Sequence, residues 1–143
     1  MSKFINIQEE AKEFIEWTKK KVRHHLNEEV GEKYFSEKEI WWTAMGKNIG
    51  FEINGKNDLF ERPVLILKKY SKDMCFVLPL SSKIKDPVPW YQKVVNLENG
   101  DSAVIINQGK ILSSKRLLRK HGIISTEEYN NAIDAFVGQF EKK

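Results

Sequence analysis

Two stretches of this chain set a cation or a hydroxyl against an apolar run: Arg62-Pro63-Val64-Leu65-Ile66 and Pro79-Leu80-Ser81-Ser82-Lys83. A guanidinium keeps its proton at neutral pH, with a reference pKa of about 12.5–13.8, so the chemistry open to Arg62 is stabilisation of negative charge. Alone, such an arginine is a solvent-exposed strand start, and a serine such as Ser82 is a loop hydroxyl. The surrounding charge changes that balance. Residues 62–126 carry 12 basic and 4 acidic side chains in a chain whose formal net charge is +4, and no Asp or Glu falls between Asp101 and Glu127. A centre at net +8 has an electrostatic preference for polyanions. No Cys/His spacing fits zinc and no glycine-rich loop fits a nucleotide, so neither a metal nor a cofactor is expected. His24 and His25 project about 100° apart on a helix, which is unsuited to joint ligation.

The elements that must hold these groups change period along the chain. Ile7 to Leu26 reads as an amphipathic helix, with Ile7, Ala11, Phe14, Ile15, Val22 and Leu26 at helical spacing and Trp17 and Thr18 filling the stripe. Its Lys19-Lys20-Lys21-Val22-Arg23-His24-His25 end suits the helix dipole. From Glu39 the pattern is of strands: Ile40–Met45, Val64–Leu67, Met74–Leu80, Trp90–Leu97 and Ala103–Asn107, with a turn at Asn99-Gly100. The continuous apolar runs at 64–67 and 74–80 imply burial on both faces. Ser113 or Ser114 is placed to cap a short helix ending near His121-Gly122. Ser125 with Glu128 forms a capping box for a last helix, whose Tyr129, Ile133, Phe136, Val137 and Phe140 make one face. Several short strands at this spacing point to a mainly β chain with α, a small antiparallel barrel. Residues 1–33 form an N-terminal helical extension and residues 34–143 the barrel domain.

The 143 residues, 41% hydrophobic and 31% charged, suffice for one domain with a core. No apolar run spans a bilayer, and Met1–Glu10 has no signal core, so a cytoplasmic protein away from the membrane is expected. The lone Cys75 lies among apolar neighbours and reads as a buried small hydrophobe.

Five blocks follow one another in order: Glu39-Ile40-Trp41-Trp42, Gly46-Lys47-Asn48-Ile49-Gly50-Phe51-Glu52, the Arg62 block, the Ser81 block, and Ser114-Lys115-Arg116-Leu117. Between Tyr34 and Phe140 the chain resembles the MazF/PemK family of toxins from bacterial toxin–antitoxin systems. The resemblance implies an SH3-like barrel of the PemK/CcdB type, a homodimer, and metal-independent cleavage of single-stranded RNA to 2′,3′-cyclic phosphate and 5′-hydroxyl ends. It also implies a cognate antitoxin that blocks with a flexible acidic segment, which suits the basic centre.

The family assigns the central role to the arginine matched by Arg62. Ser81 stands where the family has threonine, keeping the hydroxyl without the methyl that stiffens χ1. Glu52 matches the acidic residue of the first loop, where it would orient Arg62 or act on the substrate. Ser82 and Gln108 are supporting candidates, and Lys83, Lys85 and Lys110 are candidate RNA contacts. Asn107-Gln108-Gly109-Lys110 departs from the family's Gln-Ile-Arg: Lys110 loses the bidentate fork and Gly109 is expected to loosen a strand. Lys56–Glu61 looks like an insertion in the first loop, which bears on sequence choice. Two other readings remain: a non-catalytic RNA- or protein-binding member of the same family, and the topoisomerase poisoning of the CcdB-type barrel, which the Arg-Pro and Leu-Ser-Ser-Lys blocks disfavour.

Overall fold

The computed structural model describes residues 3–27 and 33–142. Helix α1 (Lys3–Leu26) precedes seven strands, β1 (Glu39–Ala44), β2 (Glu61–Ser71), β3 (Met74–Ser81), β4 (Gln92–Leu97), β5 (Gly100–Ile105), β6 (Lys110–Ser113) and β7 (Leu117–Ile123); α2 (Thr126–Gly138) follows. Two 3-10 turns, Ile106–Gln108 and Ser114–Arg116, flank β6. The strands form one antiparallel sheet in the order β4-β5-β3-β2-β1-β7, with β6 beside the first half of β3. This is the antiparallel, mainly β architecture that the sequence calls for, as an open sheet and not a closed ring. Among the described residues no helix is long and apolar enough to cross a membrane.

The unbroken apolar runs are buried on both faces because each face of β2 and β3 has its own cover. Leu65 and Leu67 join Leu78, Leu80, Val104 and Ile106 in one cluster, which Ala132, Tyr129, Ile133 and Phe136 of α2 seal. Val64 and Ile66 join Val77, Cys75, Leu112, Leu117, Trp41 and Phe35 in the other. Burial pushes the Cys75 thiol up to about 11, so it is an inert filler. The Ser125–Glu128 capping box forms in both directions, and Ile124 and Tyr129 meet in the α2 cluster.

Two local expectations change. The helix expected after Ser113 is only the 3-10 turn Ser114–Arg116, capped by Ser113. From Leu117 the chain is a strand because β1 offers its free edge as hydrogen-bond partner. His121 is therefore not a helix cap; its Nδ1 accepts from the Trp42 indole N–H at 3.3 Å. In α1 the expected apolar stripe stays outside. Trp17 is the buried anchor, against Ala44 and Phe60, while Ile7, Ile15, Val22 and Leu26 are all more than half exposed.

Candidate active site

Arg62 is the second residue of β2, opposite Thr43 of β1, whose hydroxyl donates to the Arg62 carbonyl at 2.9 Å. The side chain turns inward: Nε donates to the Asn54 carbonyl at 2.6 Å and Nη1 to the Leu80 carbonyl at 2.9 Å. The residue is only 9% exposed, and burial lowers its pKa. No carboxylate pairs with it among the described residues, and Nη2 has no protein partner there. A desolvated cation held by neutral carbonyls, with one nitrogen unspoken for, is built to meet an anion.

The register of β2 with β3 runs from Val64–Pro79, and two residues further it brings Arg62 level with Ser81. The Ser81 hydroxyl accepts from the Lys83 N–H at 3.1 Å, which leaves its own proton free to donate. Ser82 Oγ lies 3.4 Å from Lys56 Nζ. Burial, then Arg62 and Lys83, lower the Lys56 pKa, so the three cations share one patch. Lys56 belongs to the segment that reads as an insertion. Its sequence neighbours Asn57-Asp58 gave no hint of a site; only the fold returns it there. Gln92, almost wholly buried, holds the following loop by donating to the Lys83 carbonyl and accepting from the Lys85 N–H. Lys85 itself turns to the Tyr91 hydroxyl.

The β1–β2 loop separates this patch from a second one. Glu52 is exposed and accepts from the Ile49 N–H at 2.9 Å; it makes no contact with Arg62, so the orienting role expected for it is not supported by the geometry. Gln108 grips the loop instead, donating to the Phe51 carbonyl at 2.8 Å and accepting from the Ile53 N–H at 3.2 Å. The Phe51 ring between these fixed points is fully exposed. Gly109 sits in crowded surroundings: a Cβ there would stand 2.6 Å from Phe76 and 3.1 Å from Leu78, so a larger residue must displace those side chains.

Lys110 is half-buried. Its pKa is lowered by burial first, then by Arg116 and Lys21, against the opposing pull of Glu52. Arg116 donates to the Ala44 carbonyl at 3.0 Å and lies over the Trp17 ring at 5.7 Å. Burial lowers its pKa too. Arg116 lies in the fifth block, yet in sequence an arginine ahead of a leucine pair reads as a surface residue; only the fold shows its burial. Among the described residues no cluster of His, Cys, Asp and Glu could hold a metal.

A family model of PemK-like, MazF-like toxins of type II toxin–antitoxin systems matches residues 36–138. The chain belongs to this family. Its sheet is similar to that of MazF from Deinococcus radiodurans, with TM-score 0.60 and 13% identity over 75% of this chain and 97% of that one. It is also similar to the Mycobacterium tuberculosis toxin MazF-mt6, with TM-score 0.50 and 20% identity over 63% and 95%. An endoribonuclease in complex with its cognate antitoxin, from a mycobacterial species, is similar with TM-score 0.53 and 10% identity over 76% and 100%. At such identities these likenesses speak for the fold. No curated protein matches the chain.

Proposed function

We propose that this family member is a metal-independent endoribonuclease acting on single-stranded RNA in the cytoplasm. As such it would work as a homodimer and be silenced by a cognate antitoxin with a flexible acidic segment. The observation that carries the reading is the desolvated Arg62 guanidinium, anchored on Asn54 and Leu80 and free of any carboxylate, level with Ser81. In the reaction a 2′-oxygen attacks the adjacent phosphorus and the bond to the 5′-oxygen breaks. The attacking hydroxyl loses one proton to solvent and the leaving oxygen gains one, giving a cyclic phosphate and a 5′-hydroxyl. Arg62 holds the phosphorane charge, where a preorganised donor is worth about 3–4 kcal/mol. The Ser81 hydroxyl donates to a non-bridging oxygen. Lys56 gives up a proton more readily than a free lysine because burial, Arg62 and Lys83 depress its pKa, and it serves the leaving oxygen. Lys83, Lys85 and Lys110 hold the flanking phosphates.

A binding-only reading draws on Glu52, which is spent on its own turn. Incubation of purified protein with a long RNA in chelator separates the two. Cyclic-phosphate ends support the nuclease; RNA retained intact supports the binding module and refutes cleavage.

A further inference from the structure

Helix α1 lies ahead of the family-matched residues 36–138, and its two sides are unlike. One side is docked. Trp17 is buried beside Gly46, whose φ of +92° strains any side chain and where a Cβ would stand 2.3 Å from the indole. Lys47 Nζ bridges Glu10 and Glu13 at 2.9 and 2.8 Å, and Lys115 Nζ donates to the His25 carbonyl at 2.7 Å. At about 100° per residue, Glu10, Glu13 and His24 fall within about 40° of Trp17. Ile7, Ala11, Ile15, Thr18, Val22 and Leu26 fall between about 80° and 180° away from it, on the opposite side. All six are exposed, Ile7 by 61% and Leu26 by 66%. Thr18 donates its hydroxyl to the Phe14 carbonyl at 2.8 Å, within its own helix.

The spacing of that stripe reads the same in both directions. Ile7 and Leu26, Ala11 and Val22, and Ile15 and Thr18 are each symmetric about the midpoint between Glu16 and Trp17. A surface that is its own partner under a two-fold rotation needs this property. Charge follows the same symmetry. Residues 9–16 carry four glutamates and one lysine, with Glu10 and Glu13 held by Lys47 on the docked side, and residues 19–25 carry three lysines and one arginine with no carboxylate, so reversal sets the more acidic half of the helix against the basic half.

We propose that the outer stripe of α1 pairs antiparallel with α1 of a second copy of this chain, Ile7 over Leu26 and Ala11 over Val22. The contact is separate from any pairing between the sheets and does not rest on the ribonuclease reading. One helix pair lies at the low end of specific interfaces, below about 1,200 Å², so the pairing is transient and best trapped covalently.

The test uses the full chain with Ala11→Cys in one preparation and Val22→Cys in another. Cys75 is fully buried and adds little background. Mixed and mildly oxidised, the two variants are expected to form a disulfide-linked dimer. Each alone stays uncrosslinked, because 11 residues of helix separate like positions by about 16 Å, beyond the roughly 4.4–6.8 Å between bridged Cα atoms. Adding Ile15→Glu to both should reduce the mixed product at least tenfold, with helix content by circular dichroism unchanged. Crosslinking of either variant with itself would mean a parallel or unordered contact. No crosslink in the mixture, with helix content intact, would leave the stripe to some other partner. Either result overturns the proposal.

Discussion

Arg62 and Arg116 are built alike and end differently. Each guanidinium is drawn out of water, held on backbone carbonyls and left without a carboxylate, and in each burial lowers the pKa. Arg62 opens onto Ser81, Ser82, Lys56 and Lys83. Arg116 is roofed by the Trp17 ring and joins α1 to the end of β1. Carbonyl anchoring is common to both, so what each side chain still has free, and what stands in front of it, separates the candidate site from a strut.

Substitution should break the symmetry of the pair. The largest effect is expected for Arg62→Ala, with RNA cleavage reduced on the order of a hundred- to a thousandfold and the thermal transition kept, measured by single-turnover rates and calorimetry. Wild-type rates from a folded Arg62→Ala chain would dismiss the mechanism. Trp17→Ala acts on the other arginine. Loss of the buried indole should destabilise the docked helix by up to about 3–5 kcal/mol, read by denaturant unfolding, while the intrinsic cleavage step changes far less. A fall in single-turnover rate as large as that of Arg62→Ala would make Arg116 part of the chemistry.

Gly109→Ile, which restores the family residue, is expected to cost about 1–3 kcal/mol by forcing apart Phe76 and Leu78, seen as a lower melting temperature. Ser81→Ala should slow cleavage with little change in affinity and Ser81→Thr should be tolerated; equal rates for wild type and Ser81→Ala would remove the hydroxyl from the site. The smallest change is expected at Lys110. Lys110→Ala should flatten the salt dependence of RNA affinity by about 0.7, one phosphate's worth, and leave the preferred sequence alone. If Lys20→Glu flattens it more, the RNA path follows α1.

The strands that carry the site were legible because their apolar runs are long and unbroken, and the Ser125–Glu128 cap announced α2 directly. The blocks that hold Arg62 and Ser81 were legible through the resemblance, and the strand register sets the two residues level. Three features were not. Ser113 or Ser114 offers a cap and His121-Gly122 a stop for a helix, but β1 supplies a neighbour that such local signals cannot see. Gly109 looked like a flexible joint because its crowding comes from Phe76 and Leu78, about 30 residues earlier in the chain. Lys56 looked like part of an inserted tip because only pairing of Lys56 with Glu61 folds that segment back toward Ser82. Periodicity also found the stripe on α1 but not its direction, since one tryptophan outweighs several aliphatic residues when a helix chooses which side to dock.

The neck of the β1–β2 loop has a consequence for how this protein can change. The Phe60 carbonyl receives the N–H groups of Met45 and Gly46, both at 3.0 Å, and the Gly55 N–H reaches the Gly46 carbonyl at 2.7 Å. Chain entry and exit are thus tied below the tip, while Gln108 holds Phe51 and Ile53 and the Asn54 carbonyl holds Arg62, leaving the turn at Ile49 and Gly50 as the free part. Closing a loop twice as long costs only about 0.6 kcal/mol more. The part open to exchange is therefore the short turn at Ile49 and Gly50, which can be lengthened or replaced while the neck, the Gln108 grip and the Asn54 anchor of Arg62 stay put, so this end of the surface can change without renegotiating the fold.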